Sequence, residues 1–228
     1  THVDDARHIL LEIYPSAVDA VELHPAARMP RDTSDALYPS IVWHDLVQDL
    51  GETVTGEQLK HQRPWLAMML LLQTRVREAQ GEAPVAPMDS TLVNYARQHE
   101  LNLGTLETPR DQFNALGAVP DAEMAGAVAR MVTDADETRA DLNQLVEAYL
   151  TGDEAVMEAL IFDPEEMTQT PTLFRELFDR RNRAWMRWLK RELDQGGLFV
   201  AVGLGHYLGE RGLLAMLRAE GYPIERIQ

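Results

Sequence analysis

Apolar and polar positions divide this chain into short buried runs toward its two ends and long helical stretches between them. Ile9-Leu-Leu-Glu-Ile13 carries one carboxylate among apolar residues and is closed by Pro15, which predicts a strand with Glu12 near its carboxyl end. Leu101 to Leu106 predicts a second strand, ending at Glu107, and Leu198-Phe-Val-Ala-Val202 predicts a third. A last short strand is expected near Ile224–Ile227. Helices are expected over 34–50, closed by Gly51, and from Arg63-Pro64-Trp65 to about Gln80, with proline in the first turn. Asp89 is read as the cap of a helix to about Glu100. Thr108-Pro109-Arg-Asp111 supplies cap, proline and first-turn acid for another. Helical pattern then runs from Pro120 to Phe162 with a break at Thr151-Gly152-Asp153, from Thr170-Pro171 to Gly196-Gly197, and over about 209–220, capped by Gly221. Residues 81–87 read as a loop.

The pattern is that of a mixed α/β fold, a central sheet built from strands near both chain ends with a large helical insertion over about 34–195, in a single domain spanning 1–228. One spacing is tight. Thr1 to Arg7 runs almost directly into the strand at Ile9, and a crossover to a parallel strand takes roughly a dozen residues. Residues are therefore expected to be missing before Thr1 and between Arg7 and His8.

Composition narrows the chemistry. A formal net charge of −16 argues against nucleic acid as a partner. There is no cysteine, which removes thiol nucleophiles and thiolate-bound zinc together. The longest apolar run, Trp65 to Leu72, is far short of the ~18 residues of a membrane span. G-x-S-x-G and H-E-x-x-H are both absent, and His8, His24, His44, His61 and His99 lack metal-like spacing.

The informative stretch follows the third strand. Gly203-Leu-Gly205-His206 reads as a turn that only glycine tolerates well, delivering an imidazole to a strand end, where ligands gather in open α/β sheets. Gly203, Gly205 and Gly209 miss the dinucleotide-binding spacing by one residue. His206 is either a satisfied histidine at a strand end or a functional one. Glu12, a carboxylate within a buried strand, is paired, hydrogen-bonded, metal-bound or at the strand's open end. Glu107 raises the same question, or belongs to the cap of the helix after it. His2 with Asp4 and Asp5 is a candidate ligand cluster or an exposed terminus. The arginine run around Arg181-Asn182 is a solvated face, or turns Arg181 or Asn182 inward to hold a carboxylate or a developing oxyanion.

Together these pieces resemble the TraB/PrgY/GumN (Tiki-like) family. Gly203-Leu-Gly-His206 matches its second G-x-x-H motif, with Gly209-Glu210-Arg-Gly212 and Gly221-Tyr222 following the family's carboxyl-terminal signature. Arg181-Asn182 matches its Arg-Asn pair, Leu106-Glu107-Thr108 with Gln112 an internal pattern, and Glu12 its early glutamate. Thr1-His2-Val-Asp-Asp looks like the tail of the first G-x-x-H, whose leading Gly-Thr is absent here. The resemblance implies a fold related to erythromycin-esterase and ChaN-like proteins, and metal-dependent proteolysis in some members. It also suggests export to the cell envelope.

On that basis the chain is expected to be a metallohydrolase, most plausibly a peptidase. His2, His206 and Glu12 would hold a divalent zinc, manganese or cobalt ion. Glu12 or Glu107 would move the proton, Arg181 would stabilise the oxyanion and Asn182 would orient the water or a histidine. Glu210 is a secondary candidate. Peptide or small-molecule substrates and a homodimer are the expected partners. A metal-free hydrolase with histidine as base, and a peptide- or signal-binding protein without turnover, are the alternatives.

Overall fold

The structure is a computed structural model that describes residues 2–14, 25–29, 31–80 and 88–227. Pro15, His24 and the loop expected at 81–87 lie outside the described residues. In chain order come β1 (His8–Leu11), α1 (Ser40–Asp49), α2 (Gly56–Lys60), α3 (Pro64–Gln80), α4 (Met88–Gln98), β2 (Asn102–Thr105), α5 (Pro109–Gly117), α6 (Asp121–Thr133) and α7 (Ala135–Thr151). There follow α8 (Glu154–Ile161), α9 (Pro164–Gln169), α10 (Pro171–Phe174), a π-helical turn (Arg175–Asp179), α11 (Arg180–Leu193), β3 (Leu198–Ala201) and α12 (Leu213–Ala219). The fold is mixed α/β, a small parallel sheet in a largely helical chain. Among the described residues no helix is long and apolar enough to cross a membrane.

The chain falls into two compact units, residues 1–20, 84–112 and 175–228 in one and residues 21–83 and 113–174 in the other. The first holds the sheet, in the order β2-β1-β3 with both pairs parallel. His8 stands opposite both Asn102 and Leu198, and Leu11 opposite both Thr105 and Ala201, so all three strands end at one edge. Successive side chains point to opposite faces. Ile9 and Leu11, with Leu103, Phe199 and Ala201, pack on Val93 and Ala96 of α4. Leu10, with Leu198 and Val200, packs on Trp185, Met186 and Leu189 of α11 and on Leu213 of α12. Covering both faces lets successive positions of β1 and β3 be apolar, as in most parallel sheets. Gly104 lacks a side chain for a reason of space: a Cβ there would lie 2.9 Å from Leu10 Cδ2.

In the second unit α3 packs on α6 and α7. Trp65 is buried, stacks on Phe113 and donates its indole N–H to the Ala26 carbonyl. Arg63, just ahead of α3, binds Asp121 and the Gly117 carbonyl.

Several boundaries differ from expectation. The helix expected over 34–50 is a 3₁₀ turn (Ser34–Leu37) and then α1, because Pro39 holds Tyr38 extended at φ −117°. The stretch from Pro120 to Phe162 breaks at Asp134 as well as at Gly152, whose φ is 71°. The helix expected from 209 begins only at Leu213, since Gly209 turns at φ 75° and Gly212 is extended. No strand forms near Ile224–Ile227: Glu225, Arg226 and Ile227 are all exposed, leaving no apolar face to bury. The short α2 adds to the expected helices, its start fixed by the reciprocal capping box of Thr55 and Gln58.

Candidate functional site

The strand order sets the site. From the central β1 the chain first adds β2 on one side and then β3 on the other, and the crevice at such a reversal opens at the carboxyl ends of the strands. Glu12 directly follows β1, Glu107 follows β2 by two residues, and His206 closes a 3₁₀ turn (Leu204–His206) after β3. Backbone pairing continues past the strands: Leu106 N–H donates to the Leu11 carbonyl at 2.9 Å and Glu107 N–H to the Glu12 carbonyl at 3.3 Å. The two glutamates are thereby held side by side.

Arg181, on the first turn of α11, lies between them and is 6% exposed. Its guanidinium forks onto Glu107, Nε to Oε2 at 3.0 Å and Nη2 to Oε1 at 2.5 Å. Nη2 also donates to Glu12 Oε1. Nη1 donates to the Leu177 carbonyl at 3.1 Å and faces His206 Nε2 at 3.2 Å. These are five contacts for five N–H groups, so no donor of Arg181 is left over for an incoming oxyanion in this arrangement. Its standing task is to neutralise two carboxylates.

His206 is buried, with the rings of Trp185 and Phe178 against it at centroid distances of 4.4 and 5.2 Å. Its Nδ1 lies 2.7 Å from Asn182 Oδ1. Asn182 Nδ2 donates to the carbonyls of Arg211, at 2.9 Å, and His206, at 3.4 Å. Those two acceptors fix which end of the amide is nitrogen, so Oδ1 faces the ring and the proton sits on Nδ1. Nε2 is left as an acceptor, 3.9 Å from Glu12 Oε2. That oxygen also takes the Gly203 N–H at 3.2 Å, while Gln112 donates to Glu12 Oε1 at 2.9 Å.

Electrostatics differ between the two glutamates. Burial raises the Glu12 carboxyl, but Arg181 and the Gly203 N–H outweigh it and hold the group below its usual range. At Glu107 burial wins over Arg181, with Glu12 adding to the rise. Burial drives His206 down to about 4, Glu12 opposing and Arg181 assisting, so the imidazole is neutral at neutral pH. Asp89, at the start of α4, is raised by burial and then by the Glu12 charge.

Glu12, Glu107, Arg181, Asn182 and His206 are thus brought together in the first unit. Glu210 is exposed in the turn before α12, outside this network. The glycines of the turn act differently from expectation. Gly203 has φ −55°, open to any residue, and Gly205 is buried without a positive φ. Only Gly209 needs the left-handed region. A Cβ at Gly203 would lie 3.5 Å from Glu12 Oε2, an ordinary contact, so space does not require glycine there either; its contribution is the backbone N–H given to that oxygen. His2 begins a 3₁₀ turn (His2–Asp5), but its side chain lies outside the described part of the structure. Asp4 accepts the Tyr95 hydroxyl at 2.5 Å.

Gln112, part of the internal pattern that the sequence shares with the family, gains a role as a donor to Glu12, on a helix started by the Thr108–Asp111 capping box. Two contributors leave no sign in the sequence. The π-helical turn that presents the Leu177 carbonyl to Arg181, and the Arg211 carbonyl that orients Asn182, left no pattern in side-chain type.

Among the described residues no group of three or more His, Asp or Glu is placed to hold a metal ion. Two donors do fit one. Glu12 Oε2 and His206 Nε2 stand at a separation that bonds of about 2.0–2.2 Å to a shared ion would span. The anchoring of Nδ1 by Asn182 is the outer contact a metal-binding histidine usually has.

No solved structure matches this chain. A human protein named Metalloprotease TIKI1 is 24% identical over 202 residues, covering 77% of this chain and 40% of its own length. The chain therefore spans well under half of that relative. The profile of the TraB/PrgY/gumN family matches residues 1–226, and the chain belongs to that family.

Proposed function

We propose that the cluster at the strand ends is the catalytic centre of a metal-dependent hydrolase acting on peptide bonds. The observation that carries this reading is the pairing of a neutral imidazole nitrogen with an ionised carboxylate. His206 Nε2 and Glu12 Oε2 face each other 3.9 Å apart, both oriented by neighbours that leave these two atoms as the acceptors. Family membership and the name of the human relative support it.

Glu12 and His206, with His2 as a third ligand, would hold a zinc, manganese or cobalt ion, which when bound polarises a carbonyl and acidifies water. Asn182 keeps the imidazole in the Nδ1–H tautomer, so that Nε2 presents its lone pair. Gln112 donates to Oε1 of Glu12 and the Gly203 N–H to Oε2, which fixes the orientation of the carboxylate. With Glu12 on the imidazole side, Glu107 is the carboxylate left to hold and move the proton. Substrate approaches from the side of Gly203, the exposed member of the cluster.

The test compares the full chain with His206→Ala for bound metal and for cleavage of a peptide library. Loss of both in the variant is expected; unchanged metal content together with unchanged cleavage overturns the reading. A metal-free hydrolase with His206 as general base is favoured by one observation, that Arg181 already supplies positive charge to both glutamates. Cleavage that survives a strong chelator would select it.

A further inference from the structure

We infer that Arg181 is a resident cation that competes with the metal for its seat, and that its guanidinium must let go of His206 and Glu12 before an ion is held there. The inference rests on the metal-dependent reading above and concerns how that site is filled.

The argument begins with a lone pair. With the proton on Nδ1, bound to Asn182, His206 Nε2 has one in-plane lone pair. Arg181 Nη1 stands 3.2 Å from it and is a donor only, so that lone pair is already taken. It cannot serve an N–H and a metal at once. Glu12 is engaged at its neighbouring oxygen: Arg181 Nη2 holds Oε1, next to the Oε2 that faces the imidazole. The guanidinium thus bridges the two ligands.

Charge points the same way. Nη1 and Nη2 of the guanidinium face the imidazole and the carboxylate that would hold the ion, so a divalent ion seated there stands against a like charge, and that repulsion falls as the two nitrogens swing away. Arg181 has somewhere to go without leaving the site. Nε and Nη2 fork onto Glu107, and the planar guanidinium, pivoting together with that carboxylate, gives up the Leu177 carbonyl along with His206 and Glu12. The N–H groups so released are the donors for a developing oxyanion that the metal-free arrangement lacks. Filling the seat and arming Arg181 are then one event.

The experiment titrates zinc into the purified full chain and into Arg181→Gln by calorimetry, with His206→Ala as the variant lacking the seat. Arg181→Gln is expected to bind zinc roughly tenfold or more tightly than the natural chain, a like charge having left the seat. Arg181→Lys, which keeps a charge but cannot bridge three partners, covers the case in which Arg181→Gln does not fold, and is expected to fall between the two. A second readout uses the natural chain alone. The side-chain N–H signals of Arg181, assigned by their loss in Arg181→Lys, should exchange faster with water once zinc is bound.

If zinc binds the natural chain in a His206-dependent way while both variants bind no more tightly and the Arg181 signals stay unchanged, competition is wrong and the metal site stands. If no chain binds zinc, or binding ignores His206→Ala, both the competition and the metal-dependent reading fail. Binding that appears only in the Arg181 variants supports the competition in its strongest form.

Discussion

Removing Arg181 in the absence of metal is the sharpest test of how this site is built. The side chain is buried and satisfies two carboxylates that are themselves shielded, Glu107 at 6% and Glu12 at 16% side-chain exposure. Arg181→Met keeps most of the volume and deletes the charge. Breaking a buried pair from one side strands an uncompensated charge, which costs about 3–5 kcal/mol; here two acids share the one partner. In a chain of 228 residues a loss of that size lowers Tm by roughly 6–20 °C. Its pH dependence follows from linkage. Without Arg181 only burial acts strongly on the two glutamates, so both carboxyls titrate above the unfolded value. The folded variant then binds more protons than its unfolded chain, and its stability falls as pH rises through that range. The gap to the natural protein should be widest near pH 8 and narrow toward pH 5. Equilibrium urea unfolding in chelator, followed by the fluorescence of Trp185 and the other tryptophans, measures this. Adding Glu12→Gln and Glu107→Gln to the variant should recover part of the loss. A difference under about 1 kcal/mol, or one that does not change between pH 5 and 8, refutes the assignment of Arg181 as the counter-ion of both acids.

His206 gives a second pH signature. Its folded pKa of about 4 lies below the unfolded 6.5, so the neutral ring stabilises the fold above pH 6.5 and the contribution is lost as pH falls toward 4. At full extent this is about 3 kcal/mol in chelator, and His206→Gln should flatten that part of the urea–pH profile; an unchanged profile speaks against a buried neutral imidazole. Asn182→Asp puts a carboxylate on His206 Nδ1 and should raise the ring's pKa, read by NMR titration, while Asn182→Leu should not. Gly104→Ala drives a Cβ into Leu10 and should cost about 1–3 kcal/mol, whereas Gly126→Ala, in mid-helix on α6 with only the Arg130 side chain at 3.6 Å, should stabilise by roughly 0.5–1 kcal/mol. Thermal unfolding of the two glycine variants side by side checks both signs.

What was legible in the chain follows from how local each signal is. Apolar runs marked β1 and β3, which are covered on both faces, and Leu101, Leu103 and Leu106 marked β2. Glu12 and Glu107 stood out because each is a charge at the end of such a segment. Pro64 and Pro109 marked helix starts because proline's missing N–H costs nothing in a first turn. Helix interiors were harder to divide. The breaks at Tyr38-Pro39 and Asp134, and the π-helical turn at Arg175–Asp179, depend on where carbonyls find partners, and backbone partners leave no trace in residue type.

The π-helical turn shows why that matters for function. Arg181 and Asn182 are adjacent on α11, so their side chains diverge by about 100° around the helix. One nevertheless faces Glu12, Glu107 and Nε2 of the imidazole, while the other faces its Nδ1. Two neighbouring residues thus grip opposite nitrogens of one ring, and Trp185, about one turn further along, packs against that ring with centroids 4.4 Å apart. The turn before α11 sets the helical phase at which Arg181 and Asn182 begin, and its Leu177 carbonyl accepts from Arg181 Nη1. The chemistry of this site is therefore specified twice, once by five side chains that a sequence reveals and once by a backbone irregularity that it does not.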